Sequence, residues 1–104
     1  MSRFFLSPDA QNDLEDIRAY LNGVPREYAK PIAISIQAML RDIGSQPYLG
    51  TSHSHLTRLL GQEVRSRLVP PYRIYYRLGT SVPEVIAILH GARNQTTILG
   101  RRFQ

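Results

Sequence analysis

The chain contains no cysteine and only one lysine, and its second half carries almost no acid. Without cysteine there is no disulfide framework and no thiolate zinc site. That composition fits a reducing compartment, and a cytoplasmic protein is the expectation. No apolar run approaches the ~18 residues of a membrane span. The opening MSRFFLSPDAQNDLED turns acidic where a signal peptide needs an apolar core, so no targeting segment and no membrane partner are expected. No glycine-rich phosphate loop, paired-histidine helix motif or nucleophile elbow is present. His53-Ser54-His55 is a weak metal signal in a Ser/Thr-rich loop, so neither a metal nor a cofactor is expected.

What is present is ordinary for a globular protein: 104 residues, 42% hydrophobic and 20% charged. This length supports one domain over residues 1–104 with one core, unstapled. The net charge of +5 is unevenly placed. Residues 46–104 hold Arg58, Arg65, Arg67, Arg73, Arg77, Arg93, Arg101 and Arg102 against only Glu63 and Glu84. Arginine presents a planar fork suited to carboxylate or phosphate, so an acidic protein and a nucleic acid fit equally well. A solvated basic surface with no partner is the plainer alternative.

Arg3-Phe4-Phe5-Leu6 reads as a first strand, residues 3–6. Ser7-Pro8-Asp9 combines an N-cap, a first-turn proline and an early acid. Ala10, Leu14, Ile17 and Leu21 form one stripe, which predicts a helix over 8–22. Asn22-Gly23 ends it. A second helix over 25–44 follows, with Ala29, Ile32, Ala33, Ile36, Met39, Leu40 and Ile43 on its apolar face. The short connection makes the two an antiparallel hairpin. Pro31 is expected in the first turns. Ile34 lies far off the stripe, against a second layer or a partner. Gly44 to Leu60 reads as a loop.

Three strands complete the chain, over 64–69, 72–77 and 82–90, with turns at Pro70-Pro71 and Gly79-Thr80-Ser81. The last is apolar on both faces, as a covered interior strand is. A short helix is expected over 94–99. The fold class is α+β: a strand, a two-helix hairpin, and a three-stranded antiparallel meander packed on the helices. A turn centred on the two prolines places Arg67 opposite Arg73, Arg65 opposite Tyr75 and Glu63 opposite Arg77. Val64, Leu68, Tyr72, Ile74 and Tyr76 would then pack on the helices. The other face would be an arginine–tyrosine surface for a negative partner, or arginine stems shielding the sheet. His90 is read as a strand-ending group bonded to loop backbone, with a general-base role as the alternative.

Tyr72-Arg73-Ile74-Tyr75-Tyr76-Arg77 followed by Ile88-Leu89-His90-Gly91-Ala92-Arg93 resembles the ParE branch of the ParE/RelE toxins. So does the start, Phe5-Leu6-Ser7-Pro8-Asp9-Ala10 with Leu14-Glu15-Asp16-Ile17 and Tyr20-Leu21. The resemblance covers residues 3–99. It departs at Asn94, where the pattern usually has Asp, and at Pro70-Pro71. It implies the toxin of a bacterial type II toxin–antitoxin pair, cytoplasmic, causing growth arrest by inhibiting DNA gyrase and replication. The alternative it carries is a RelE-like ribosome-dependent mRNA endonuclease. A further alternative is an inactive homologue serving only as a binding module. A non-enzymatic inhibitor is favoured, because the strands lack lysine and arginine is a poor general base. There would then be no catalytic residue; a ribonuclease would draw on His90, Arg65, Arg73 and Arg77. Partner or target contacts are expected at Arg65, Arg67, Arg73, Tyr75, Arg77, Arg93, Arg101, Arg102 and Ile34, with Arg93 the leading functional candidate. The implied partner is an acidic antitoxin of ribbon-helix-helix type in a hetero-oligomer. That antitoxin carries the DNA-binding part, so no operator contact is expected of this chain.

Overall fold

The computed structural model describes residues 3–79 and 82–103. Strand β1 (Phe5–Leu6) leads into helix α1 (Pro8–Asn22) and helix α2 (Arg26–Ser45). The Ser7 hydroxyl accepts the Ala10 amide at 3.1 Å, with Pro8 in the first turn, so the local chemistry that starts α1 is a side-chain cap. Ala10, Leu14, Ile17 and Leu21 are all buried, as are Ile36, Leu40 and Ile43 of α2. Pro31 lies inside α2, in its second turn, within the first turns where it was expected. It faces solvent there, and its ring removes one interior N–H from the helix.

The stretch expected as a loop from Gly44 to Leu60 is structured. A 3-10 turn at Pro47–Leu49 is followed by strand β2 (Thr51–Ser52) and helix α3 (Ser54–Leu60). These pieces are too short to show a hydrophobic period. They form because Leu56 and Leu60 find a surface on the sheet, which local sequence does not reveal. Strands β3 (Glu63–Val69), β4 (Tyr72–Leu78) and β5 (Glu84–His90) precede helix α4 (Gln95–Arg102). The turn expected at Gly79-Thr80-Ser81 falls partly outside the described residues.

The architecture is α+β, with a mixed sheet of five strands in the order β1-β5-β4-β3-β2. β1 runs parallel to β5, and the other neighbours are antiparallel. The expected three-stranded meander is present; β1 joins it at one edge, as a strand of the same sheet should, and β2 extends it at the other.

The expected register is off by one residue. Val69 pairs with Tyr72 across Pro70-Pro71, placing Arg67 opposite Ile74, Arg65 opposite Tyr76, and Glu63 opposite Leu78. A turn centred on Pro70 would leave a one-residue loop; a hairpin needs at least two. Because side chains alternate, the slip moves a whole set to the other face. A second irregularity lies in β5. Tyr75 pairs with Ala87 but Tyr76 pairs with Val85, leaving Ile86 as an extra residue. This bulge turns Ile86 and Ala87 to the same side.

The sheet therefore separates two cores. Tyr72, Ile74, Tyr76, Val85 and Ile88 pack on the α1/α2 hairpin. Val64, Tyr75, Ile86, Ala87 and Leu89 pack with Leu56 and Leu99 of α3 and α4. Val64 was expected on the hairpin side and lies on the other. Leu68 was expected in the core and is 54% exposed.

Candidate functional site

The strand arginines do not form the open surface that alternation suggested. Arg65 and Arg67 alternate with Val64, Ser66 and Leu68, so they take the hairpin face with Tyr76 and Ile74. Arg65 is held by Glu63 and donates to the carbonyls of Tyr48 and Gly50 at 3.1 and 2.8 Å. Arg67 pairs with Asp42 of α2 at 2.6 Å, while its buried Nη1 has no partner among the described residues. Arg77 pairs with Glu84 at 2.6 Å. Of the four, only Arg73 meets no carboxylate among the described residues. It donates to the Ser66 hydroxyl at 2.9 Å on the face covered by α3 and α4. The cross-strand clustering of like charge disappears with the register change, because across β3 and β4 Arg65, Arg67, Arg73 and Arg77 lie opposite Tyr76, Ile74, Leu68 and Val64. The cationic face is corrected to three ion pairs, of Arg65, Arg67 and Arg77, and one hydroxyl contact, of Arg73, on two sides of a sheet.

Nor does the set His90, Arg65, Arg73 and Arg77 converge. His90 ends β5 opposite Tyr72, the two rings meeting edge-on at 5.4 Å. Its Nδ1 accepts the Ala92 amide at 3.0 Å, and its carbonyl accepts from Gln95 Nε2 at 3.2 Å. Tyr72 packs toward the hairpin, whereas Arg73 and Arg77 project from the opposite face.

Two clefts gather the polar side chains. The first, about 320 Å³, opens between α1 and the end of β5 and is lined by Asp13, Asp16, Tyr20, Tyr72, His90 and Arg93. Burial, with a smaller contribution from Tyr20, raises the Tyr72 pKa above the usual phenol value. Arg93 is exposed at this mouth, placed by the turn in which its amide reaches the His90 carbonyl at 3.0 Å. It can therefore reach a partner without disturbing the core.

The second cleft, about 400 Å³, is lined by Ser52, His53, Ser54, His55, Tyr75 and Thr96. His53 Nε2 lies 2.7 Å from the Ser66 hydroxyl, and its ring is 5.2 Å from that of Tyr75. Burial, helped by the Arg73 charge, lowers the His53 pKa below its ordinary value. Tyr75 donates its hydroxyl to Gln95 Oε1, and burial raises its pKa although Arg73 opposes the change. Sequence reasoning treated His53 only as half of a weak metal pair and passed over Ser66. Their one visible signal was a serine alternating with valine and leucine on the inward side of β3.

The remaining candidates separate. Ile34 is 57% exposed on α2, beside Arg26, Glu27, Lys30 and Pro31 in a shallow groove. Arg101 is exposed on α4. Arg102 is drawn inward to Asp13 at 2.7 Å, an acid that sits on the buried stripe of α1 and was not singled out. No group of three His, Asp or Glu among the described residues could hold a metal. No helix among them is long and apolar enough to cross a membrane.

No curated protein matches the sequence. A family model described as ParE toxin of type II toxin-antitoxin system, parDE, matches residues 4–95, from β1 to the first residue of α4. That span takes in the capped α1, the hairpin, all five strands and the Arg93 cleft, so the chain belongs to the ParE toxin family of type II toxin–antitoxin systems.

Proposed function

We propose that this toxin acts as a non-enzymatic inhibitor of DNA gyrase, blocking replication in the cytoplasm until a cognate acidic antitoxin neutralises it. The family match across residues 4–95 carries the reading. The geometry supports an inhibitor over a nuclease. Arg65, Arg67 and Arg77 are occupied by Glu63, Asp42 and Glu84, and His90 points to the face away from Arg73. An arginine so engaged stabilises the fold and has little capacity left for a transition state. Arg93 and Ile34 remain as exposed contacts for target and antitoxin, and Arg101 is separately exposed on α4. An antitoxin that orders on binding would suit the exposed α2 surface around Ile34.

The test is a DNA supercoiling assay with the purified toxin. Loss of supercoiling together with trapped cleaved DNA is expected. Normal supercoiling with no cleaved DNA at saturating toxin overturns the reading. Transcripts in a translation extract dosed with the same protein are expected to stay intact.

A further inference from the structure

Arg73, Ser66 and His53 form a chain of polar contacts that the inhibitor reading does not use. Arg73 donates to the Ser66 oxygen at 2.9 Å, and that oxygen lies 2.7 Å from His53 Nε2. A guanidinium can only donate. The hydroxyl oxygen therefore accepts from Arg73, and His53 Nε2 shares the same oxygen in a direction set by the ring tautomer. Ser66 is 1% exposed, so the shared oxygen is shielded from solvent. The result is a guanidinium charge with no carboxylate against it among the described residues, relayed to an imidazole at the wall of an open cleft.

The cleft lining fits that charge. Ser52, Ser54 and Thr96 supply hydroxyls, His53 and His55 supply imidazoles, and none of the lining residues is acidic. Hydroxyl and imidazole donors beside an unmatched guanidinium suit a compact anion with several acceptor oxygens. We propose that the cleft between α3, β4 and the start of α4 binds a phosphoryl group, contacted by His53 and the surrounding hydroxyls and charge-balanced by Arg73 behind them.

Binding is coupled to proton uptake. Free of ligand, His53 is held neutral by burial and by Arg73. The titratable and charged groups around its ring are Arg73 and Tyr75 on β4 and His55 on α3. β3 and α4 present Ser66, Gln95 and Thr96 there. A bound phosphoryl anion brings the first negative charge into this set and favours the imidazolium.

The test is an NMR titration of the His53 ring with inorganic phosphate, at constant ionic strength made up with sodium chloride. Expected is a saturable shift, with the His53 titration midpoint moving up by about one in pH. A short single-stranded RNA oligonucleotide forms a second arm. Saturation at lower concentration than phosphate assigns the group to nucleic acid, and the reverse order assigns it to free phosphate; either supports the site. Arg73→Gln should weaken phosphate binding at least about tenfold. Where that variant fails to fold, His53→Gln followed by calorimetry gives the same readout, with the same loss expected. A shift reproduced by chloride alone, or phosphate affinity unchanged in the folded variant, overturns the proposal. The titration contains no gyrase, so its failure and failure of the supercoiling assay are separate results.

Discussion

Asp13 and Arg102, 89 residues apart in the chain, meet in a two-pronged ion pair at 2.7 and 2.8 Å. The same carboxylate accepts the Ile88 amide at 2.9 Å, and the same guanidinium donates to the Ile86 carbonyl at 3.3 Å. β1 pairs only with Glu84 and Val85, so the rest of this edge of β5 would lack partners. The side-chain pair fills the place of a neighbouring strand, satisfying one donor and one acceptor of the backbone. It also ties α4 to α1 across the sheet end. The hydrogen bond that Arg102 donates to Asp13 is the main cause that raises the Arg102 pKa, so the guanidinium keeps its charge despite partial burial.

Asp13→Ala should therefore cost about 3 kcal/mol, the low end for breaking a buried pair, because it leaves Arg102 and the Ile88 amide unmatched. Urea denaturation reads the loss. Asp13→Leu combined with Arg102→Met should recover part of it, since removing both charges is milder than removing one. A single variant as stable as the parent would show that the pair does not secure α4.

Stability should fall on mild acidification through His53. Its folded pKa is lowered by burial first and Arg73 second, so the unfolded chain takes up a proton more readily. The contribution is fully present above the unfolded value of 6.5 and is lost as pH falls through the folded value. His53→Gln should flatten this part of the profile. Thermal melts from pH 8 to pH 5 would reveal it, and identical slopes for the two proteins would remove His53 as the cause.

Gly50→Ala should damage the attachment of β2. A Cβ built there would lie 2.8 Å from the Ser66 carbonyl oxygen, and backbone cannot move aside as a flexible side chain can. The carbonyl of Gly50 itself accepts from Arg65 at 2.8 Å. A loss of about 1–3 kcal/mol is expected for such overpacking, with hydrogen exchange rising first at Thr51 and Ser52. Full stability and protection would contradict this packing.

Under the proposed function, exposed contacts should divide gyrase inhibition from antitoxin binding. Arg93→Glu is expected to weaken gyrase inhibition at least about tenfold while the melting temperature holds, because Arg93 has no ion pair among the described residues. Ile34→Glu is expected to weaken antitoxin binding and leave supercoiling inhibition intact. Arg65→Glu, by contrast, should lower stability before anything else, because Arg65 anchors two carbonyls. Binding isotherms and supercoiling assays on the same preparations would distinguish these outcomes. Equal effects of Arg93→Glu and Ile34→Glu on both activities would refute the division.

The helical hairpin and the three long strands were readable from local pattern. Ser7-Pro8-Asp9 starts α1, and the stripe Ala10, Leu14, Ile17, Leu21 is buried, because capping and a 3.6-residue period act within a few residues. Val82–His90 was legible as a strand covered on both faces, and its observed portion Glu84–His90 separates two cores. The arginine face was misread for a single reason. Alternation assigns Arg65 and Arg67 to one side of β3 and Arg73 and Arg77 to one side of β4, but only the turn says whether those sides coincide. The cleft around His53 was hidden for another: its residues come from α3, β3, β4 and α4, and no local pattern joins them.

The order of residues was enough to specify where the helices begin, which of their faces is oily, which strands alternate, and the kinship of the chain, since each depends on neighbours within a turn or two. Pairing register, the extra residue at Ile86, the second core under α3 and α4, and the meeting of Asp13 with Arg102 arise only once distant segments compete for the same space. A hairpin loop of two residues and a hydrophobic surface needing cover on both sides impose those choices, and they turned the arginines of a supposed open face into the internal clasps of the fold.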